Sequence, residues 1–112
     1  MLDIDTLKDY GADVDDGLAR CMNNTEFYLG LIKSIINDDK PQKLKDQIEE
    51  GDLTAAFETA HALKGMYTNL SLTPLAEPII EMTELLRTKT QTDYSALLDK
   101  LFAAKSELDA LI

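Results

Sequence analysis

The spacing of apolar residues between positions 25 and 36 restricts the possible folds of this chain more than any other feature. Phe27, Tyr28, Leu31, Ile32, Ile35 and Ile36 recur at intervals of three and four. An α-helix turns once in about 3.6 residues, so this spacing places them along one face of a helix. No segment of the sequence alternates between polar and apolar residues for long enough to predict a strand. We therefore predict an all-α protein.

The other predicted helices end at the few residues that stop or start helices. The chain of 112 residues contains only five glycines and three prolines. We predict helices over 3–10, closed by Gly11; over 14–22, capped by Asp13; from a cap at Thr25; over 41–50, with Pro41 in its first turn and Gly51 at its end; from a cap at Asp52 to about residue 70; from a cap at Thr73, followed by Pro74; and from about residue 93 onwards.

Four of these helices carry apolar residues at helical spacing, and those of the helix over 41–50 and of the last helix are expected to face inward. The apolar residues of the four helices are Val14, Leu18, Cys21 and Met22; Leu44 and Ile48; Leu75, Ile79, Met82 and Leu86; and Tyr94, Leu97, Leu98, Leu101, Leu108 and Leu111. Four longer amphipathic helices with short links predict an antiparallel up-down four-helix bundle with additional short N-terminal helices. The length fits a single domain over residues 1–112.

The charge of the chain excludes several classes of partner. It has 21 acidic and 11 basic residues, a formal charge of −10, and no basic stripe. Such a surface repels nucleic-acid backbones and anionic membranes, and it favours a soluble monomer. The first residues lack the basic start and the long apolar run of a signal peptide, and no stretch is long enough to span a membrane. A cytoplasmic protein is expected, with Cys21 as a small core residue.

The only histidine, His61, lies on the solvent side of its predicted helix. On a helical wheel it falls more than about 100° from the centre of the apolar face that Leu53, Ala60 and Leu63 share with their neighbours. Gly65 lies one turn further along the same outer side, and Lys64 lies on the flank between core and solvent. His61 is therefore expected to be accessible to another molecule.

The glycine beside this histidine needs an explanation, because glycine inside a helix costs about 0.5–1 kcal/mol relative to alanine. A missing side chain at Gly65 leaves space for a substituent on the imidazole of His61 and for the close approach of another protein. The ammonium of Lys64 provides positive charge for an anion held there. This combination suits a histidine that carries phosphate transiently.

Three other kinds of site are alternatives to this one. Glu58 and His61 have the Glu-x-x-His spacing of di-metal carboxylate bundles, but such a site needs a second histidine and further glutamates that face the core, so one chain cannot complete it. A hydrolytic triad lacks its nucleophile turn, and no glycine-rich loop is present to hold a nucleotide. A lone surface histidine without function also stays open on the spacing alone.

The segment Ala60-His61-Ala62-Leu63-Lys64-Gly65 resembles the His-x-Leu-Lys-Gly signature of histidine-containing phosphotransfer (Hpt) domains. Asn69-Leu70 and Leu75-Ala76 are similar to the family's run into the next helix, and 11–20 is similar to its opening, so the resemblance covers about the whole chain. Met66, Tyr67, Thr68 and Ser71 depart from the small residues that the family often has at these positions.

The resemblance implies a phosphorelay carrier and not an independent enzyme. His61 would accept a phosphoryl group from a receiver-domain aspartate or a kinase and pass it to a response regulator; Lys64 would balance its charge, and Gly65 would provide access. No cofactor of its own is implied, since Mg²⁺ is expected on the receiver. The docking surface is expected to include Thr54, Glu58, Ala62 and Thr68. The alternative is a helical module that docks receiver domains without carrying phosphate.

Overall fold

The computed structural model describes residues 2–112 and confirms the all-α prediction. Its helices are α1 (Ile4–Tyr10), α2 (Val14–Arg20), α3 (Thr25–Ile36), α4 (Lys40–Glu49), α5 (Leu53–Asn69), α6 (Thr73–Arg87) and α7 (Ser95–Asp109). Over that part of the chain no strand is formed. None of these helices has both the length and the apolar character needed to cross a membrane.

Side-chain caps fix several of the helix starts. The carboxylates of Asp13 and Asp52 cap α2 and α5 as predicted, each accepting a hydrogen bond from a backbone N–H of the first turn. The predicted cap at Thr25 is wrong by one residue. The side chain of Asn24 accepts from the backbone N–H of Phe27 at 3.0 Å, so Thr25 is already helical. Asparagine is also the better capping residue of the two.

Two other predicted helix starts also differ from the structure. Leu72 precedes the first helical residue of α6, so the predicted cap at Thr73 is wrong, and no side chain caps this helix. Pro74 lies in the first turn as predicted, where its fixed φ suits the helix. α7 starts at Ser95 and not at about residue 93, because the carboxylate of Asp93 accepts a hydrogen bond from the Ser95 N–H at 2.9 Å.

α2 ends at Arg20, two residues before the predicted end. Met22 and Asn23 have φ values of 55° and 58°, in the left-handed region that a right-handed helix cannot continue through. Met22, which the prediction included in this helix, therefore lies outside α2 and is 86% exposed. Cys21, which precedes this turn, is buried as predicted.

The core contains most of the apolar residues that periodicity places inward. In α6, Leu75, Ile79, Met82 and Leu86 are all buried. In α3 the buried side chains are Tyr28 and Ile32, whereas Phe27, at the edge of the predicted apolar face, is 50% exposed. Phe27 precedes Tyr28 by one residue and so points about 100° away around the helix.

The site helix α5 packs against both of its neighbours in the chain, α4 and α6, and α6 packs in turn against α7. Short loops join these helices, at Glu50–Asp52 and at Leu70–Leu72. The up-down order of the four longer helices stays a prediction.

The N-terminal helices pack against the loop that follows α5. The phenol of Tyr28 donates a hydrogen bond to the carbonyl of Leu70 at 2.7 Å, and the backbone N–H of Asp13 donates to the carbonyl of Ser71 at 2.9 Å. The hydroxyl of Ser71 donates to the carboxylate of Asp16 at 2.5 Å. Three contacts from α2, its cap and α3 therefore fix the end of the helix that carries His61.

Candidate functional site

His61 lies near the middle of α5, on its outer side. The flanking residues Ala60 and Leu63 are fully buried, whereas the imidazole is exposed. On the inner side of the same helix Tyr67 is buried, and this burial raises the pKa of its phenol above its usual range. One helix thus presents a core-facing side to the bundle and a histidine to solvent.

The ring of Phe57, one turn before His61, stacks against the imidazole. The two ring centroids are 5.8 Å apart and the ring planes are inclined by 22°. The guanidinium carbon of Arg87, from α6, lies 5.1 Å from the centroid of the same Phe57 ring. Phe57 therefore contacts both the histidine and a cation from the neighbouring helix.

A carboxylate on α6 joins the two cations of the site. Glu84 approaches the ammonium of Lys64 with one oxygen, at 4.0 Å, and the Nε of Arg87 with the other, at 3.4 Å. We call these two contacts the Glu84 bridge. All three side chains are between one third and about three fifths exposed, so water reaches the bridge.

Gly65 leaves space next to His61. A β-carbon built on Gly65 would have no heavy atom within 4 Å, apart from its chain neighbours and the backbone of its own helix. The glycine is therefore not needed for helix packing, as its position on the wheel predicts. One turn later the hydroxyl of Thr68 donates to the carbonyl of Lys64 at 2.7 Å, which holds this side chain against the helix.

The predicted docking residues share the outer face of α5 with His61. Thr54, Glu58 and Ala62 are exposed, and Thr68 is half-buried. Thr59, by contrast, faces inward, and its hydroxyl donates to the side-chain oxygen of Gln47 on α4 at 2.7 Å. These positions agree with the wheel, while the roles of the residues stay predictions.

Three residues of the site were not anticipated from the sequence: Phe57, Glu84 and Arg87. Phe57 could have been linked to His61 from the sequence, because a spacing of four residues in a helix places two side chains in contact. Glu84 and Arg87 are three apart and lie away from the buried face of α6, so periodicity marks them as surface residues. It does not say which neighbouring helix they face.

Among residues 2–112, no three side chains of histidine, cysteine, aspartate or glutamate are arranged to hold a metal ion. Glu58 and His61 keep their Glu-x-x-His spacing on the exposed side of α5, away from the bundle core.

Comparison with known proteins gives one match. A family model described as the Hpt domain matches residues 37–112, which include α4 to α7 and every residue of the site. Residues 2–36, with α1 to α3, lie outside this match, so it does not extend to the resemblance noted over 11–20. No curated protein and no solved structure matches the chain.

Proposed function

This chain belongs to the Hpt domain family, and on that premise we propose that it carries a phosphoryl group on His61. Hpt domains are phosphocarrier modules of two-component systems, where they interact with receiver domains and kinases. The observation that carries the proposal is the exposed imidazole of His61, followed one helical turn later by a cation, Lys64, and an open glycine position, Gly65.

In the proposed reaction the unprotonated ring nitrogen of neutral His61 attacks the phosphorus of a receiver's aspartyl phosphate. A nitrogen–phosphorus bond forms, the bond from phosphorus to the carboxylate oxygen breaks, and the carboxylate leaves with the electron pair. The reverse step returns the phosphoryl group to an aspartate. His61 thus acts as a nucleophile and then as a leaving group.

Other residues of this chain assist by charge and by space. The ammonium of Lys64, one turn from the imidazole, would balance the charge on the phosphoryl oxygens. Gly65 would let the receiver's backbone come close to the ring. Mg²⁺ is expected on the receiver's own carboxylates, so we assign no residue of this chain to a metal and no independent catalytic machinery to the chain.

The docking surface that we propose is centred on His61, because the receiver's aspartate must come within bonding distance of its ring. It includes Thr54, Glu58, Ala62 and Thr68 on α5 and adds Glu84 and Arg87 from α6. A contact that turns over in a relay is expected to be small, at or below about 1,200 Å² in total. The cytoplasmic location and the monomeric state stay predictions.

The test is phosphoryl transfer from receiver domains labelled with ³²P on their aspartate, in the presence of Mg²⁺. Label should move to the wild-type chain, resist base and be lost in acid, as expected of a phosphoramidate. A His61→Gln variant should acquire none. Label that persists in this variant would contradict the proposal. Docking mapped to α5 by amide shifts, without any transfer of label, would support the interaction module that carries no phosphate.

A further inference from the structure

The Glu84 bridge suggests how the site behaves before and after it is loaded. We propose that Glu84 is a positioning residue that holds Lys64 and Arg87 in the unphosphorylated protein and lowers the affinity of His61 for the phosphoryl group. The proposal rests on the proposed function, because it concerns the same histidine. It adds a residue outside the His-x-Leu-Lys-Gly segment that sets how readily the group is passed on.

The geometry of the bridge allows Glu84 to act on both cations together. Its two carboxylate oxygens are divided between them, one facing Lys64 on α5 and the other facing Arg87 on its own helix. Arg87 also lies over Phe57, whose ring stacks on the imidazole. A single carboxylate thus contacts both Lys64, in the helical turn after His61, and Arg87, which lies over Phe57 in the turn before it.

The strength of the bridge indicates that it opens easily. The two separations, 4.0 and 3.4 Å, are long for ion pairs, and the side chains are in contact with water. Exposed ion pairs of this kind contribute about 0–1 kcal/mol. A phosphoryl group carries a charge of about −1.5 to −2 near neutral pH, judged from phosphorylated hydroxyl side chains. It competes well for Lys64 against a single carboxylate.

The direction in which Glu84 shifts the phosphorylation of His61 follows from the negative charge that remains on Glu84 when Lys64 moves away. Once Lys64 turns to the phosphoryl group, the carboxylate of Glu84 remains nearby on α6 and repels the phosphoryl oxygens. Both the competition for the cations and this repulsion favour release of the group. Replacing Glu84 by glutamine removes one negative charge and should therefore shift the equilibrium towards phosphorylated His61.

The experiment measures that equilibrium in two steps. The chain is first loaded with phosphoramidate, a small donor whose nitrogen–phosphorus bond breaks with loss of ammonia as the bond to His61 forms. The loaded chain is then mixed with an unphosphorylated receiver domain and Mg²⁺, and the final ratio of phosphohistidine to aspartyl phosphate is measured. We expect Glu84→Gln to raise this ratio about two- to fivefold relative to wild type.

Two variants control for charge and for packing. Glu81→Gln makes the same change in net charge on the same helix, but Glu81 lines the groove between α6 and α7 and not the His61 site. Its ratio should equal that of the wild type. Glu84→Asp keeps the charge and should return the ratio towards the wild-type value. High salt should reduce the effect of Glu84→Gln, because the screening length falls to about 3 Å at 1 M.

Two results would overturn the inference. Equal ratios for Glu84→Gln and Glu81→Gln would show that the position of the charge is unimportant. Equal ratios for Glu84→Asp and Glu84→Gln, both above the wild type, would assign the effect to packing. Failure of phosphoramidate to label His61 in the wild-type chain would instead contradict the proposed function itself, so the two failures are distinguishable.

Discussion

The ring of Phe57 stacks on the imidazole of His61 with centroids 5.8 Å apart, although neither side chain belongs to the fully buried core. Contacts between aromatic rings contribute about 0.5–1.5 kcal/mol to stability, in addition to the free energy gained from the area that they bury. In the proposed reaction the stack would restrict the orientation of the imidazole whose nitrogen bonds to phosphorus. We therefore expect Phe57 to act as a positioning residue for His61.

Phe57→Leu should slow the loading of His61 with little change in fold. Leucine keeps an apolar side chain against α6 but removes the aromatic face, so the imidazole samples more orientations. We expect the initial rate of phosphorylation by phosphoramidate to fall by about two- to tenfold, the equivalent of the stacking energy. Thermal unfolding measured alongside should show a folded protein. A rate equal to that of wild type would show that the stack has no role in positioning.

Gly65→Gln should impair transfer from a receiver domain without destabilising the fold. The new side chain enters open space and gains up to about 1 kcal/mol in helix propensity, but it lies one turn from the imidazole and hinders a docked protein. Gly30→Gln is the matched control, because Gly30 is also an exposed helical glycine with nothing within 4 Å of its β-carbon position. It should leave transfer unchanged. If the free energy of unfolding of Gly65→Gln fell by several kcal/mol, Gly65 would instead be needed for helix packing.

Gly17→Ala should destabilise the protein, in contrast to the other helical glycines. A β-carbon at Gly17 would lie 2.6 Å from the ring of Tyr28, so α2 and α3 cannot both keep their places. Overpacking of this kind costs about 1–3 kcal/mol. Gly30→Ala should be neutral or stabilising by up to about 1 kcal/mol, and urea denaturation of the two variants compares them directly. Equal stability of both variants would contradict the close contact of α2 with α3.

Tyr28 should make the protein sensitive to alkaline pH. Burial raises the pKa of its phenol from 10.0 to about 12, so the folded state holds the neutral form. The associated stability is present below pH 10 and is lost as the pH rises through 12. We expect the free energy of unfolding to fall over this range, and to fall less steeply in Tyr28→Phe.

At neutral pH the same variant tests the hydrogen bond from the Tyr28 phenol to the carbonyl of Leu70. Tyr28→Phe leaves that carbonyl without its donor, which should cost about 1–3 kcal/mol. Burial also raises the pKa of Tyr10 and Tyr67, so part of the alkaline loss should persist in Tyr28→Phe. A stability profile that is flat between pH 9 and 12 would show that these phenols titrate as freely in the folded chain as in the unfolded one.

Helical periodicity predicts the parts of this fold that depend on one helix at a time. The buried residues of α6, from Leu75 to Leu86, follow the expected spacing, and the outward position of His61 follows from the same arithmetic on α5. Where a predicted helix boundary is wrong, a neighbouring residue sets it. The side chain of Asn24 caps α3 in place of Thr25, and a left-handed turn at Met22 ends α2 and leaves that side chain exposed.

The site is predictable only as far as α5 supplies it. His61, Lys64 and Gly65 lie within five residues of one another, so their relation is fixed by the geometry of a single helix. Glu84 and Arg87 reach the site through the packing of α6 on α5, which depends on the rotation of one helix against the other. The sequence of either helix alone carries no measure of that rotation.

The outer face of α5, with the open space above Gly65, contributes little to the stability of the fold, so the proposed docking residues there could change without unfolding the protein. Thr54, Glu58 and Ala62 are exposed, and substitutions at such positions usually change stability by less than about 0.5 kcal/mol. The inner face of the same helix meanwhile keeps the bundle intact. On the proposed function, new partners could therefore be acquired by exchanging a few residues around an unchanged histidine, so that copies of this chain could diverge in pairing while retaining one scaffold.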